Sequence, residues 1–231
     1  MSQERREAAA VRFDAIIVPR GAEARAVEQG WPPPRPDLLA VPAGAAAARG
    51  LGAGSPRAAA LVLGVCGALD PALRVGDTVV YARIADGTAV IELDPDLVAA
   101  CAGAFDRAPV NAANVARVVS SAADKSALRA ATGAAVIDME AAAIARALHL
   151  RGVRLAMVRV VSDDAAGELP DLRAAYDDEG AIRPLALAAA LLRTPGRSIR
   201  FVAHVIQALR ALRATAARLS LSSDGPSESV R

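Results

Sequence analysis

The stretch from Val136 to Asp163 constrains this chain most. It reads VIDMEAAAIARALHLRGVRLAMVRVVSD. A short β-branched run ends in Asp138-Met139-Glu140, an alanine-rich helical pattern follows, and a second apolar run ends in Arg159-Val160-Val161-Ser162-Asp163. Strand, helix and strand in that order predict a βαβ unit of an α/β protein. Two acidic groups then sit at the carboxyl ends of two strands. In open α/β sheets that edge is where ligands bind, so this pair is the first candidate for a site.

The rest of the chain can support such a unit. It has 231 residues, 54% hydrophobic and 23% charged, which suits one large domain with a real core. Aromatics are only 3%, so alanine, valine and leucine must build that core, and lysine is almost absent beside abundant arginine. A net charge of +2 argues against a general nucleic-acid binder. Cys66 and Cys101 lie in apolar surroundings without metal-ligand or redox spacing, which predicts buried reduced thiols. His149 and His204 have no ligand cluster with them, so no metal and no organic cofactor are expected. The start, MSQERREAAAVRF, lacks a signal-peptide core and no run reaches spanning length. A cytoplasmic protein is expected, with residues 1–10 and 220–231 disordered around one domain over 11–219.

Upstream of the central stretch, Phe13 to Val18 predicts a buried strand and Ala22 to Gln29 a short helix, with Glu23 in its first turn. Leu38 to Val41 reads as a short strand and Ala45 to Arg49 as a helical turn, within a region rich in proline and glycine. Ala59 to Val65 is the cleanest buried strand; Gly64 and Gly67 let its backbone approach a neighbour closely. Thr78 to Ile84 is another strand. Asp86-Gly87 signals a hairpin back through Ala89 to Leu93, so the sheet must be mixed. Asp94-Pro95 caps a helix running to Phe105. Asn114 to Ser120 reads as a strand, and Ser121 with Asp124 as the capping box of a helix over Ala122–Ala131, ended by Gly133.

Downstream, residues 164–182 are polar and punctuated, as in a loop or flap, and Arg183 to Leu192 predicts a short helix. Ser198 to Leu219 is amphipathic. Val202, Val205, Ile206, Leu209, Leu212, Ala216 and Leu219 form one stripe, opposite Arg200, His204, Gln207 and Arg218. Residues 181–223 hold seven arginines and no acid. The stripe predicts packing on the sheet or on a partner subunit; contact with an anionic membrane surface is the weaker alternative.

Three stretches, LVLGVCGALDPALRVGDTVV at Leu61–Val80, VIDMEAAAIA at Val136–Ala145 and RVVSD at Arg159–Asp163, stand in the order found in the nucleoside phosphorylase superfamily. VPRGAEA at Val18–Ala24 is a fourth, weaker match. The chain resembles the 5′-methylthioadenosine/S-adenosylhomocysteine nucleosidases and the hopanoid-associated phosphorylases of that superfamily. The resemblance implies a three-layer αβα sandwich around a twisted mixed sheet, cleavage of a purine N-glycosidic bond, and a homodimer.

It also implies roles for particular residues. Asp163 takes the place of the general acid that protonates the leaving purine, beside Ser162. Glu140 takes the place of the carboxylate that holds the ribose hydroxyls, with Met139 packed against the sugar. Glu23 takes the place of the acid that positions and deprotonates the attacking water. Gly67, with Gly64, belongs to the strand end that lines the sugar and nucleophile site. The chemistry is coherent in itself. Cleavage produces an oxocarbenium-like sugar and an anionic base, so an acid at the base and a carboxylate at the sugar both help. An Asp163 that donates a proton near neutral pH is expected to owe it to burial and nearby carboxylates.

Two positions depart from the family pattern. Val65 stands where phosphorolytic members carry a phosphate-binding serine, although Arg20 and Arg25 offer charge for a phosphate co-substrate. Ser120-Ser121-Ala122-Ala123-Asp124 stands where nucleosidases carry a base-stacking aromatic. Hydrolysis of a 5′-modified adenosine is the first reading. Phosphorolysis, of an adenosylated hopanoid lipid among other substrates, is the second. A non-catalytic nucleoside-binding scaffold is the third.

Overall fold

The computed structural model describes residues 12–52, 56–170, 183, 189 and 191–223. Its elements in chain order are β1 (Ala15–Pro19), α1 (Ala22–Gly30), β2 (Asp37–Val41), a 3-10 turn (Gly44–Gly50), β3 (Ala59–Ala68), β4 (Thr78–Asp86), β5 (Ala89–Glu92), α2 (Pro95–Phe105), β6 (Val110–Asn114), α3 (Ala122–Thr132), β7 (Val136–Asp138), α4 (Ala141–His149), β8 (Arg154–Asp163) and α5 (Pro195–Ser223). The architecture is mixed α/β, with a central mixed sheet flanked by helices.

The sheet path runs β2-β1-β3-β7-β6-β4-β5, and β8 pairs with both β3 and β4. Five strands therefore close a ring: β3, β8, β4, β6 and β7. Closure buries both faces of β3 and β8, which explains their near-continuous apolar sequences. β4 and β5 form the expected antiparallel hairpin.

Local signals set most boundaries. Asp94 accepts a hydrogen bond from the Leu97 N–H (3.0 Å) to cap α2, and Ser121 accepts one from Asp124 (3.0 Å) to cap α3. Gly133 ends α3 with φ 65°, a left-handed conformation that suits glycine.

Three expectations are corrected. The strand expected over Asn114–Ser120 is absent; β6 lies earlier, at Val110–Asn114. The Asn114 side chain leaves the ladder to accept from the α4 backbone and donate to Asp86. Val115 and Val119 then pack on a small cluster of Leu69, Ala113, Ala134 and Ile137. Their β-branched character serves that packing, not a strand.

The βαβ expectation also changes. β7 and β8 run in opposite directions, because β3 lies parallel to β8 and antiparallel to β7.

On α5, Val202 and Ile206 are 44% and 46% exposed rather than facing the core. The buried face is Ala208, Leu212, Thr215, Ala216 and Leu219. Close packing on α1 decides this. A Cβ on Gly30 would sit 2.1 Å from the Arg213 carbonyl oxygen and 2.9 Å from Ala216 Cβ, so only small residues can occupy the seam. Gln207 and Arg218 lie exposed on the expected side, where they reach the Val75 carbonyl and the Phe105 ring.

Residues 1–11, 171–182 and 224–231 lie outside the described residues, and with them the expected terminal segments and most of the expected flap; so does most of the helix expected over 183–192. Among the described residues no helix is long and apolar enough to cross a membrane.

Candidate active site

The site is built where β3 changes partners. β3 pairs with β8 from Ala59 to Cys66; the register then shifts, and Gly67 lies opposite both Asp163 of β8 and Ile137 of β7. A Cβ at Gly67 would meet the Ile137 side chain at 2.9 Å and the Asp163 carboxylate at 3.1 Å. Glycine lets three chain segments converge there, and this brings the Asp138–Glu140 segment near Asp163 without a parallel crossover.

Gly64 does the same one turn of the pleat earlier. It lies opposite Arg159 in the β3–β8 register. A Cβ on it would fall 2.1 Å from Arg159 Nη1 and 2.8 Å from Glu23 Oε2. Glu23 projects from the first turn of α1, which parallel pairing of β1 with β3 sets beside this strand. Its carboxylate accepts the Val65 N–H at 2.9 Å. Burial pushes the Glu23 carboxyl up to about 7, against the pull of Arg159 and the Val65 N–H.

Asp138 is the hub of the interior. One carboxylate oxygen accepts from the N–H groups of Glu140 and Ala141, both at 2.8 Å, and so caps α4. The other accepts from Arg159 Nε at 2.8 Å and the Tyr81 hydroxyl at 3.0 Å. Burial alone would raise this carboxyl, but Arg159 and the two N–H donors hold it below the usual range. Arg159 is wholly buried and also donates to the Leu63 carbonyl at 2.9 Å. Its Nη2 lies 4.0 Å from Glu140 Oε2 and has no hydrogen-bond partner. A buried guanidinium nitrogen left open is costly, so this atom marks a place for a water or a ligand oxygen.

Glu140 follows Asp138 at the start of α4 and accepts the Gly44 N–H at 2.8 Å. Burial, then the Asp138 carboxylate beside it, push the Glu140 carboxyl up to about 8. Met139, next to it, keeps part of its surface open. Glu23, Glu140 and Arg159 thus surround one spot with two protonatable carboxyls and one fixed cation.

Asp163 lies at the other side of the Gly64–Gly67 edge. Ser162 donates to Asp163 Oδ1 at 2.8 Å and stands 3.0 Å from the Cys66 carbonyl. Oδ2 accepts from Lys125 Nζ at 2.5 Å. Lys125 is fully buried on the first turn of α3.

Sequence reading placed Glu23, Gly64, Gly67, Met139, Glu140, Ser162 and Asp163, and the fold gathers these segments around one edge. Arg20 and Arg25 are exposed; Arg20 Nε donates to the Ala40 carbonyl at 3.0 Å. Arg159, Asp138, Tyr81 and Lys125 had no assigned role. Two of them carried a signal: Arg159 interrupts the apolar run LAMVRVV, and Lys125 is the only lysine among 26 arginines. Cys66 and Cys101 are free and buried, and burial pushes the Cys101 thiol up to about 12. Among the described residues no group of three or more His, Cys, Asp or Glu could hold a metal ion.

The sequence profile of the Phosphorylase superfamily matches residues 20–193. A search of curated protein sequences returned no match. Solved structures similar in fold include the 5′-methylthioadenosine/S-adenosylhomocysteine nucleosidase of S. pneumoniae with a transition-state inhibitor, at 17% identity and TM-score 0.66 over 89% of this chain and 97% of that one. The corresponding nucleosidase of Neisseria meningitidis, in complex with methylthio-immucillin-A, is 18% identical with TM-score 0.64, over 89% and 96%. The futalosine hydrolase of Helicobacter pylori is 15% identical with TM-score 0.57, over 83% and 96%. With the profile match spanning most of its length and this fold around the site, the chain belongs to the phosphorylase superfamily and is an enzyme of the nucleosidase and nucleoside phosphorylase class.

Proposed function

We propose that this protein hydrolyses the N-glycosidic bond of a purine nucleoside, a 5′-modified adenosine such as 5′-methylthioadenosine or S-adenosylhomocysteine. The observation that carries the reading is the convergence at Gly64 of the Glu23 carboxyl, raised to about 7, and the buried Arg159 guanidinium, whose Nη2 is open beside Glu140. A base is most effective when its pKa lies near the working pH. Water held between Arg159 and Glu23 loses a proton to Glu23 as it attacks the anomeric carbon. Glu140, kept largely protonated near neutral pH by burial and the neighbouring Asp138 carboxylate, holds the ribose hydroxyls by hydrogen bonds. The glycosidic electron pair goes to the base, which takes a proton from the Asp163 side and leaves neutral.

Water is favoured over phosphate because Glu23 already occupies the Val65 N–H and two carboxyls flank the guanidinium. A phosphate dianion there would face like charge whenever either carboxyl ionises. The phosphorolytic reading keeps one support: Arg159 Nη2 suits a phosphate oxygen as well as water. A lipid-linked nucleoside has a separate support. Ile199, Val202 and Ile206 form an exposed apolar face on α5 beside Arg197 and Arg200, which contact Glu168 just beyond Asp163.

The test is chromatographic assay of purified protein with 5′-methylthioadenosine and S-adenosylhomocysteine, with and without phosphate, and with Asp163→Asn alongside. Adenine release without phosphate, lost in the variant, is the expected result. Release only with phosphate, giving a sugar 1-phosphate, would replace hydrolysis by phosphorolysis. No release under either condition would overturn the proposed substrate class.

A further inference from the structure

We propose that the acid of this site is the Lys125–Asp163 pair rather than Asp163 alone, with Lys125 as a positioning residue that loads the proton through Asp163. The inference rests on the nucleosidase reading above and goes beyond it. Lys125 Nζ donates to Asp163 Oδ2 at 2.5 Å and to the Asp164 carbonyl at 2.7 Å, and lies 3.5 Å from the Gly167 carbonyl. The ammonium is therefore fully coordinated by oxygen and wholly out of solvent.

Neither helix electrostatics nor burial favours a lysine here. A cation in the first turn opposes the helix dipole, and taking an ammonium out of water costs several kcal/mol before pairing offsets it. The chain meets every other need for a cationic side chain with arginine. Arginine does not give up a proton in proteins, whereas a buried lysine can. Among the described residues, lysine is thus used at the one cationic position in contact with the proposed acid.

The proton balance is simple. In the resting site the pair holds one ammonium proton between Nζ and Oδ2. As the bond from the anomeric carbon to the base nitrogen breaks, its electrons stay on the base. The imidazole-ring nitrogen of the base takes a proton from Asp163, which takes the Nζ proton in turn. Lys125 ends neutral and Asp163 ends as carboxylate. Water adds its oxygen to the anomeric carbon and gives its proton to Glu23. Release of that proton and uptake of another at Lys125 restore the enzyme.

Among the described residues the surroundings supply no competing proton. Ser162 of β8 donates to Oδ1; Asp164 and Gly167 present carbonyls; Ile137 of β7 is apolar. The Cys66 thiol of β3 is pushed up by burial and stays neutral. On α3, Asp124 is engaged by Ser121 at 2.6 Å.

The test compares pH–kcat profiles for adenine release from 5′-methylthioadenosine by wild type, Lys125→Met and Lys125→Arg. Melting curves with and without adenine check that each variant folds and binds. In Lys125→Met, Asp163 must collect its own proton. Its alkaline limb is expected at least about one pH unit lower, with kcat at pH 8 down by about tenfold or more and a smaller loss at pH 5.5. Lys125→Arg keeps a cation that cannot donate, so it is expected to be slow at every pH and slower than the methionine variant at pH 5.5. If Lys125→Met does not fold, Lys125→Gln carries the same comparison. A wild-type profile in the methionine variant, or full activity in the arginine variant, would overturn the inference while leaving the nucleosidase reading intact. A wild type that releases no adenine removes both.

Discussion

Two buried ion pairs stand on opposite sides of the Gly64–Gly67 edge, and they differ in what their charges can do. Arg159–Asp138 lies within the strand ring, with the side chains of both partners sealed from solvent. Asp138 accepts four hydrogen bonds and Arg159 stays charged, because Asp138, Tyr81 and Glu140 more than offset the effect of its burial. This pair is a fixed frame. It joins β7, β8, β4 and the start of α4, and presents one open guanidinium nitrogen. Lys125–Asp163 sits at the rim, with Asp163 reaching slightly to the surface. Its cation is the lysine of the proposed relay. If that relay holds, the lesson is a division of labour: permanent charge where the site must be held, exchangeable charge where a proton must move.

Breaking the fixed pair should have the largest effect. Arg159→Met leaves Asp138 buried and uncompensated, which is expected to cost about 3–5 kcal/mol in urea unfolding. The double variant Arg159→Met/Asp138→Asn should recover part of that loss. A single variant as stable as wild type would show that the frame contributes nothing.

Breaking the rim pair from its acid side should remove activity and cost less stability than breaking the fixed pair. Asp163→Asn is expected to lower kcat about 10²- to 10⁴-fold, and to lower the melting temperature less than Arg159→Met does, because the buried Lys125 ammonium keeps the Asp164 carbonyl as a partner. A large loss of stability with little loss of rate would reverse the assignment of the two pairs.

The carboxyls between the pairs predict a pH dependence of stability. Glu23 and Glu140 are raised in the fold to about 7 and about 8, from an ordinary 4.5. Between about 4.5 and 8 the folded chain therefore holds more protons than the unfolded one, so stability falls as pH rises through that window. The contribution is fully present below about 4.5. Thermal melts from pH 5 to 8 should show the decline, and Glu23→Gln should flatten its lower part; a rise in stability over this range would contradict the raised carboxyls.

The smallest effect is expected at a surface pair of similar geometry. Arg154 contacts Asp94 at 2.7 Å but is half exposed, so solvent screens it. Arg154→Ala should leave the melting temperature almost unchanged, which sets the baseline against which the two buried pairs are read.

Much of this protein was legible in one dimension. Asp94-Pro95, Ser121 with Asp124, Gly133 and the Asp86-Gly87 turn act on their immediate neighbours, so their effect survives without the fold. The apolar runs of β3 and β8 announce strands buried on both faces. The acidic ends of VIDME and RVVSD, read with the family likeness, named Glu140 and Asp163, and the first turn after β1 named Glu23. What only tertiary structure decided depends on contacts distant in sequence. Ring closure set β7 antiparallel to β3 and brought Asp138 onto Arg159. The Gly30 seam turned α5 so that Val202 and Ile206 face outward. The descent of α3 onto the end of β8 placed the single lysine on Asp163. A side chain's partner across 21 or more residues is fixed by packing and charge compensation in three dimensions, and neither leaves a periodic trace along the chain.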